Sequence, residues 1–123
     1  MKRIIGAMLF LVASASHAGH LDVISFTLSE DCSLTTYLEI VDDFNAWAEP
    51  RGYQTEIAVP AFNSNLETIY WLGRSANAEV FGKVFDAWYS ALSNGGSVPA
   101  QLSARFGACT NGNDARNAYR TYP

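Results

Sequence analysis

Histidine is almost missing from this chain. It has two, His17 and His20, and only His20 lies beyond the first 18 residues. A Ser or Cys nucleophile therefore has no well-placed base beside it, and no His/Cys cluster is available to hold zinc. Cysteine is as scarce: two residues, Cys32 and Cys109, with no Cys-x-x-Cys spacing to make a redox pair. No glycine-rich loop of the phosphate-binding kind occurs, so nothing in the residues implies a cofactor. Basic residues number eight against twelve acidic ones. Beyond residue 18 the basic ones are Arg51, Arg74, Lys83, Arg105, Arg116 and Arg120, spread singly along the chain. Such a scatter excludes a nucleic-acid surface, which needs clustered cations.

Long apolar runs are limited to one. Lys2 and Arg3 precede Ile4 to Val12, and Ala13 to Ala18 are small residues broken only by His17. A charged start, a short apolar stretch and small residues at positions 16 and 18 form a secretory signal peptide over residues 1–18, with cleavage before Gly19. Spanning a membrane needs about 20 apolar residues, roughly twice this run, so no span is expected after cleavage. Removing 18 of 123 residues leaves 105, enough for one small domain over residues 19–123. Lys2 and Arg3 leave with the signal, and the mature net charge becomes about −6. In a secreted or periplasmic chain of this size, two cysteines form one structural disulfide, expected here as Cys32–Cys109.

The mature part alternates between strand and helix signals. His20 to Leu28 has period two, with Ile24, Phe26 and Leu28 on one face and Val23, Ser25 and Thr27 on the other. Ser29 to Ser33 supplies cap residues for a helix in which Leu34, Leu38, Val41, Phe44 and Ala48 form a stripe flanked by Tyr37 and Trp47. Pro50 and Gly52 end it. Tyr53 to Val59 and Leu66 to Arg74 read as a hairpin joined across Asn63-Ser64-Asn65. An amphipathic helix over Ala78–Leu92 presents Phe81, Val84, Phe85, Trp88 and Leu92. A short helix from Ala100 to Cys109 follows, then a turn at Asn111 to Asp114 and an edge strand from Ala115 to Tyr122. The order predicts an α+β, ferredoxin-like βαββαβ domain: an antiparallel four-stranded sheet, helices on one face, and a short extra helix before the last strand.

This order, with the Tyr70-Trp71 pair on the third strand and the aromatic helix carrying Phe81, Phe85 and Trp88, resembles the dimeric α/β-barrel superfamily that includes the antibiotic-biosynthesis-monooxygenase-like proteins. The resemblance implies a homodimer through the open sheet faces and a ligand pocket between sheet and helices. In the cofactor-free oxygenases of that superfamily it implies Asn, Trp, Tyr and Arg around an aromatic substrate. It does not extend to the haem-degrading members, which use a helical histidine. The open face, carrying Val23, Ser25, Thr27 and Ala58 rather than dense charge, is the expected dimer surface.

Direct candidates for chemistry are few. Glu39, Asp42 and Asp43 share neighbouring helical turns, an arrangement that is commonly solvated surface, and no metal site is assigned to them. Glu56 and Glu67 lie on adjacent strands, where an acid–base pair could meet and where exposed carboxylates are also ordinary. The remaining constellation is Tyr70, Trp71 and Arg74 with Asn63 and Asn65 in the loop before them. Flat aromatic area beside a guanidinium suits a small aromatic or acidic ligand, while the same aromatics also suit a core or a dimer face. Two function classes stay open: a noncatalytic domain that binds a ligand or partner, and a cofactor-free monooxygenase-like enzyme acting on a small aromatic substrate.

Overall fold

The computed structural model describes residues 19–123; residues 1–18, expected as a signal peptide, lie outside the described residues. Its elements run β1 (Gly19–Leu28), α1 (Leu34–Ala48), a single 3-10 turn (Glu49–Arg51), β2 (Tyr53–Ala58), β3 (Ile69–Ser75), α2 (Ala78–Leu92), α3 (Val98–Cys109) and β4 (Thr110–Thr121). The four strands form one sheet in the order β2-β3-β1-β4, antiparallel throughout. This is the α+β ferredoxin-like arrangement that the sequence pattern predicts.

Local chemistry sets the ends of the elements. Ser33, Asn77 and Ser97 are extended residues whose side chains accept the first free helical N–H groups, at Thr36, Val80 and Ala100. Pro99 sits inside the first turn of α3, where its missing N–H is harmless, so the helix begins ahead of the expected Ala100. Gly52 leaves the 3-10 turn with φ of 87°, a left-handed conformation that favours glycine.

The stripe that α1 buries is Tyr37, Ile40, Val41, Phe44 and Ala48, while Leu38 is exposed. The expected stripe is thus rotated towards Tyr37, because that ring packs on Phe26 of β1 (4.9 Å between centroids) and near Phe106 of α3 (5.6 Å). The segment expected as a turn, Asn111 to Asp114, belongs to β4 instead. Its pairing with β1 shifts register around Phe26, a bulge that accommodates Gly112 at φ of 86° without ending the strand.

Pleating divides the sheet into two faces. Asp22, Ile24, Phe26, Tyr53, Thr55, Ile69 and Trp71 meet the helices. Leu21, Val23 and Ser25 of β1 stand on the other face, in register with Arg74, Leu72 and Tyr70 of β3 and with Tyr119, Asn117 and Ala115 of β4. The outer edge of β2 is closed by Asn45, whose amide donates to the Thr55 carbonyl and accepts from the Thr55 N–H, both at 2.9 Å. Cys32 and Cys109 are bonded, with Cα atoms 5.0 Å apart, tying the start of α1 to the end of α3. No helix among the described residues is long and apolar enough to cross a membrane.

Candidate functional site

The site begins with a missing side chain. Gly73 lies on the helix-facing side of β3, and any Cβ there would run into the Tyr53 phenol that crosses it from β2. Laid over the strand, the Tyr53 hydroxyl donates to Asp22 Oδ2 at 3.0 Å and accepts from Trp71 Nε1 at 2.7 Å. Asp22 stands on β1 at 1% exposure, and β4 brings Arg116 across it. One edge of the guanidinium grips both carboxylate oxygens, Nε donating to Oδ1 at 3.0 Å and Nη2 to Oδ2 at 2.8 Å. Trp71, Tyr53, Asp22 and Arg116 therefore form one continuous hydrogen-bonded chain across all four strands.

The chain fixes its own protonation. Burial, and then the charge of Asp22, push the Tyr53 phenol well above its ordinary range, so it stays a neutral donor. Burial alone would lower the Arg116 pKa, but its hydrogen bonds to Asp22 and the carboxylate charge outweigh that and raise it. Burial likewise raises Tyr37.

Over this chain, between the sheet and α2 and α3, lies a partly open cavity of about 230 Å³. Aromatic rings make most of its wall: Phe26, Tyr37, Tyr53, Trp71, Phe81, Phe85, Trp88, Tyr89 and Phe106. Its polar groups are Ser103, Thr110, Asn113 and Arg116, with the hydroxyls of Tyr37 and Tyr89 and the Trp88 indole N–H on the rings themselves. Trp71 is held by edge-on contacts with Phe44 at 4.8 Å and Phe106 at 5.6 Å. Arg116 lies over the Phe85 ring at 5.1 Å from its centre.

Of the five residues kept as a candidate ligand site, Tyr70, Trp71, Arg74, Asn63 and Asn65, only Trp71 borders this cavity. Tyr70 and Arg74 project from the opposite face, because neighbours on a strand point to opposite sides. Arg74 pairs there with Glu56 at 3.1 Å, both more than half exposed. Asn65 shapes the β2–β3 loop by accepting the N–H groups of Glu67 and Thr68, and Asn63 lies in the same exposed loop. The five residues are not brought together. Nor do Glu56 and Glu67 meet: the first is taken by Arg74 and the second stays in the loop. Asp43 of the helical acidic group binds Arg105 at 2.6 Å, and among the described residues no three His, Cys, Asp or Glu side chains converge. His20 is not at a loose end; its ring stacks on Phe81 at 4.4 Å.

Sequence reasoning missed Asp22, Tyr53, Asn113 and Arg116. Asp22 carried a signal, a lone carboxylate on the apolar face of a strand, which is costly unless paired. Arg116, 94 residues away, carried none.

No family model matches the chain and no curated protein is similar to it in sequence. Solved structures share its fold. A cofactor-independent oxygenase from Streptomyces nogalater superposes with a TM-score of 0.57 at 6% identity, over 86% of this chain and 95% of that one. The hydroxynitrile lyase of Passiflora edulis gives 0.52 at 13% identity, over 88% and 99%. A dabb family protein with a ferredoxin-like fold from Mesorhizobium loti gives 0.51 at 10% identity, over 87% and 98%. The fold is thus the one that the resemblance to the dimeric α/β-barrel superfamily implies. At these identities the likeness is one of architecture.

Proposed function

We propose that this chain is an exported, noncatalytic binding domain whose ligand is a small, flat, largely apolar molecule held in the cavity over Trp71. The observation that carries the reading is the wall itself: aromatic rings from β1, β2, β3, α1, α2 and α3 converge on about 230 Å³, with a single charged side chain, Arg116, at its border. Export rests on the signal-like residues 1–18 and on the disulfide, which suits an oxidising compartment. A homodimer through the open face rests on the mild residues there, Leu21, Val23, Leu72, Ala58 and Ala115, whose nearest charges, Arg74 and Glu56, neutralise each other.

The internal bonding argues for binding over catalysis. The Trp71 N–H is taken by Tyr53, the Tyr53 O–H by Asp22, and both Asp22 oxygens by Arg116, so no base with free access to a substrate stands in the wall. A cofactor-free oxygenase is the second reading. What favours it is that Trp71, Tyr53, Asn113 and Arg116, the residue types that the family resemblance implies, share one cavity. Titration of two-ring aromatics against mature protein, with Trp71 fluorescence and oxygen consumption recorded together, separates the two. The binding reading expects saturable quenching that is reduced in Trp71→Phe, with the remainder coming from Trp88 in the same wall, and no oxygen uptake. Turnover with oxygen would establish the second reading, and absence of any saturable signal would contradict both.

A further inference from the structure

We infer that the cavity selects uncharged planar aromatics bearing a hydrogen-bond acceptor and discriminates against carboxylates of the same shape, because Asp22 cancels the charge of Arg116 while leaving most of its donors free. The inference rests on the cavity being the ligand site.

A guanidinium has five N–H donors. Asp22 takes two of them, through Nε and Nη2, and among the described residues no other acceptor takes the remaining three. Arg116 borders the cavity with its side chain 36% exposed, whereas Asp22 lies behind it at 1%. What a ligand meets is therefore a strong donor whose charge is already balanced. A ketone, quinone or ether oxygen can accept such a bond at no cost in net charge. A carboxylate would set a second anion against one cation in a partly desolvated, aromatic-walled space, where an unbalanced charge is expensive. The acidic surface of the mature chain adds to that penalty.

The other polar atoms in the wall fix the orientation. Trp71 and Tyr53 have no N–H or O–H left for a ligand, since each donates inside the protein. The donors that remain, such as the Tyr37 hydroxyl, are neutral, so the strongest one for the acceptor of the ligand is Arg116, beside Phe85 and Phe81. Size sets the rest of the class. A cavity of about 150 Å³ holds one benzene ring, so about 230 Å³ takes one ring with substituents or two fused rings.

Three probes of one shape test this: acetylnaphthalene, naphthoate and ethylnaphthalene, titrated calorimetrically into mature, disulfide-bonded protein. A hydrogen bond to a charged donor corresponds to about tenfold or more in affinity. Acetylnaphthalene should accordingly bind about tenfold tighter than ethylnaphthalene, and naphthoate weaker than acetylnaphthalene by a similar factor. Asp22→Asn uncovers the charge of Arg116 and should reverse the order of ketone and carboxylate. Should that buried substitution prevent folding, the double variant Asp22→Asn/Arg116→Met, which removes both charges together, should bring acetylnaphthalene down to the level of ethylnaphthalene. Naphthoate binding as tightly as the ketone in the wild type, or the ketone binding no better than the hydrocarbon, would overturn the inference and leave the cavity as the site. Failure of all three to bind would overturn both.

Discussion

Tyr53 shows how a residue can be legible in type and illegible in role. Its place on the inward face of a strand follows from alternation with Thr55 and Ile57, and the structure keeps that face. Its partners do not follow, because Asp22 and Trp71 reach it only once β2, β3 and β1 lie side by side. Gly73, by lacking a side chain on the strand beside it, makes room for the Tyr53 ring. The raised pKa values of Tyr53 and Tyr37 have a consequence in alkali. Below the ordinary phenol pKa of about 10 both are neutral whether folded or unfolded, and their contribution to stability is intact. Above it the unfolded chain loses those protons and the folded one does not, so stability should fall by up to about 1.4 kcal/mol per pH unit for each residue. Urea titrations between pH 9 and 12 should show this fall, reduced by about half in Tyr53→Phe. Phenolate absorbance from all six tyrosines appearing without unfolding would refute it.

Among the elements, α2 is the one the sequence defines most fully, from its Asn77 cap to Leu92. Its cap, its stripe and its lack of internal proline agree, and local agreement of that kind needs no tertiary information. β3 and β4 are less legible for opposite reasons. Leu66 to Thr68 look like strand but are held in a loop by the Asn65 side chain, so β3 starts at Ile69. Asn111 to Asp114 look like a turn but are kept in a strand by pairing with β1 through a bulge. The disulfide acts between elements. It joins residues 77 apart, which corresponds in the chain-entropy model to roughly 4 kcal/mol of the 5 to 10 kcal/mol typical of such a domain. Reduction should therefore lower the urea midpoint steeply and loosen the α3 wall of the cavity, carrying Ser103 and Phe106, so that ligand affinity falls with it. An unchanged midpoint after verified reduction would show that the bond adds no stability.

For the whole molecule, the fold class was readable because strand and helix periods alternate cleanly and one order of elements matches them. The binding face was not. Tyr70 and Trp71 are adjacent in sequence and lie on opposite sides of the sheet, so one joins the open face and the other the cavity. That division assigns them separate tests. The open face should bury itself against a second copy, giving close to twice the monomer mass in light scattering at micromolar concentration, and Leu72→Lys should yield monomers; a monomeric wild type would contradict this. The central claim, that the ligand lies over Trp71 and not over Tyr70 and Arg74, is tested most directly by amide and indole NMR spectra of mature protein titrated with acetylnaphthalene. The Trp71 indole N–H, identified by its loss in Trp71→Phe, should shift together with Phe81, Phe106 and Asn113 while Arg74 and Leu72 stay still. Shifts confined to Tyr70, Leu72 and Arg74, with the Trp71 indole unmoved, would contradict it.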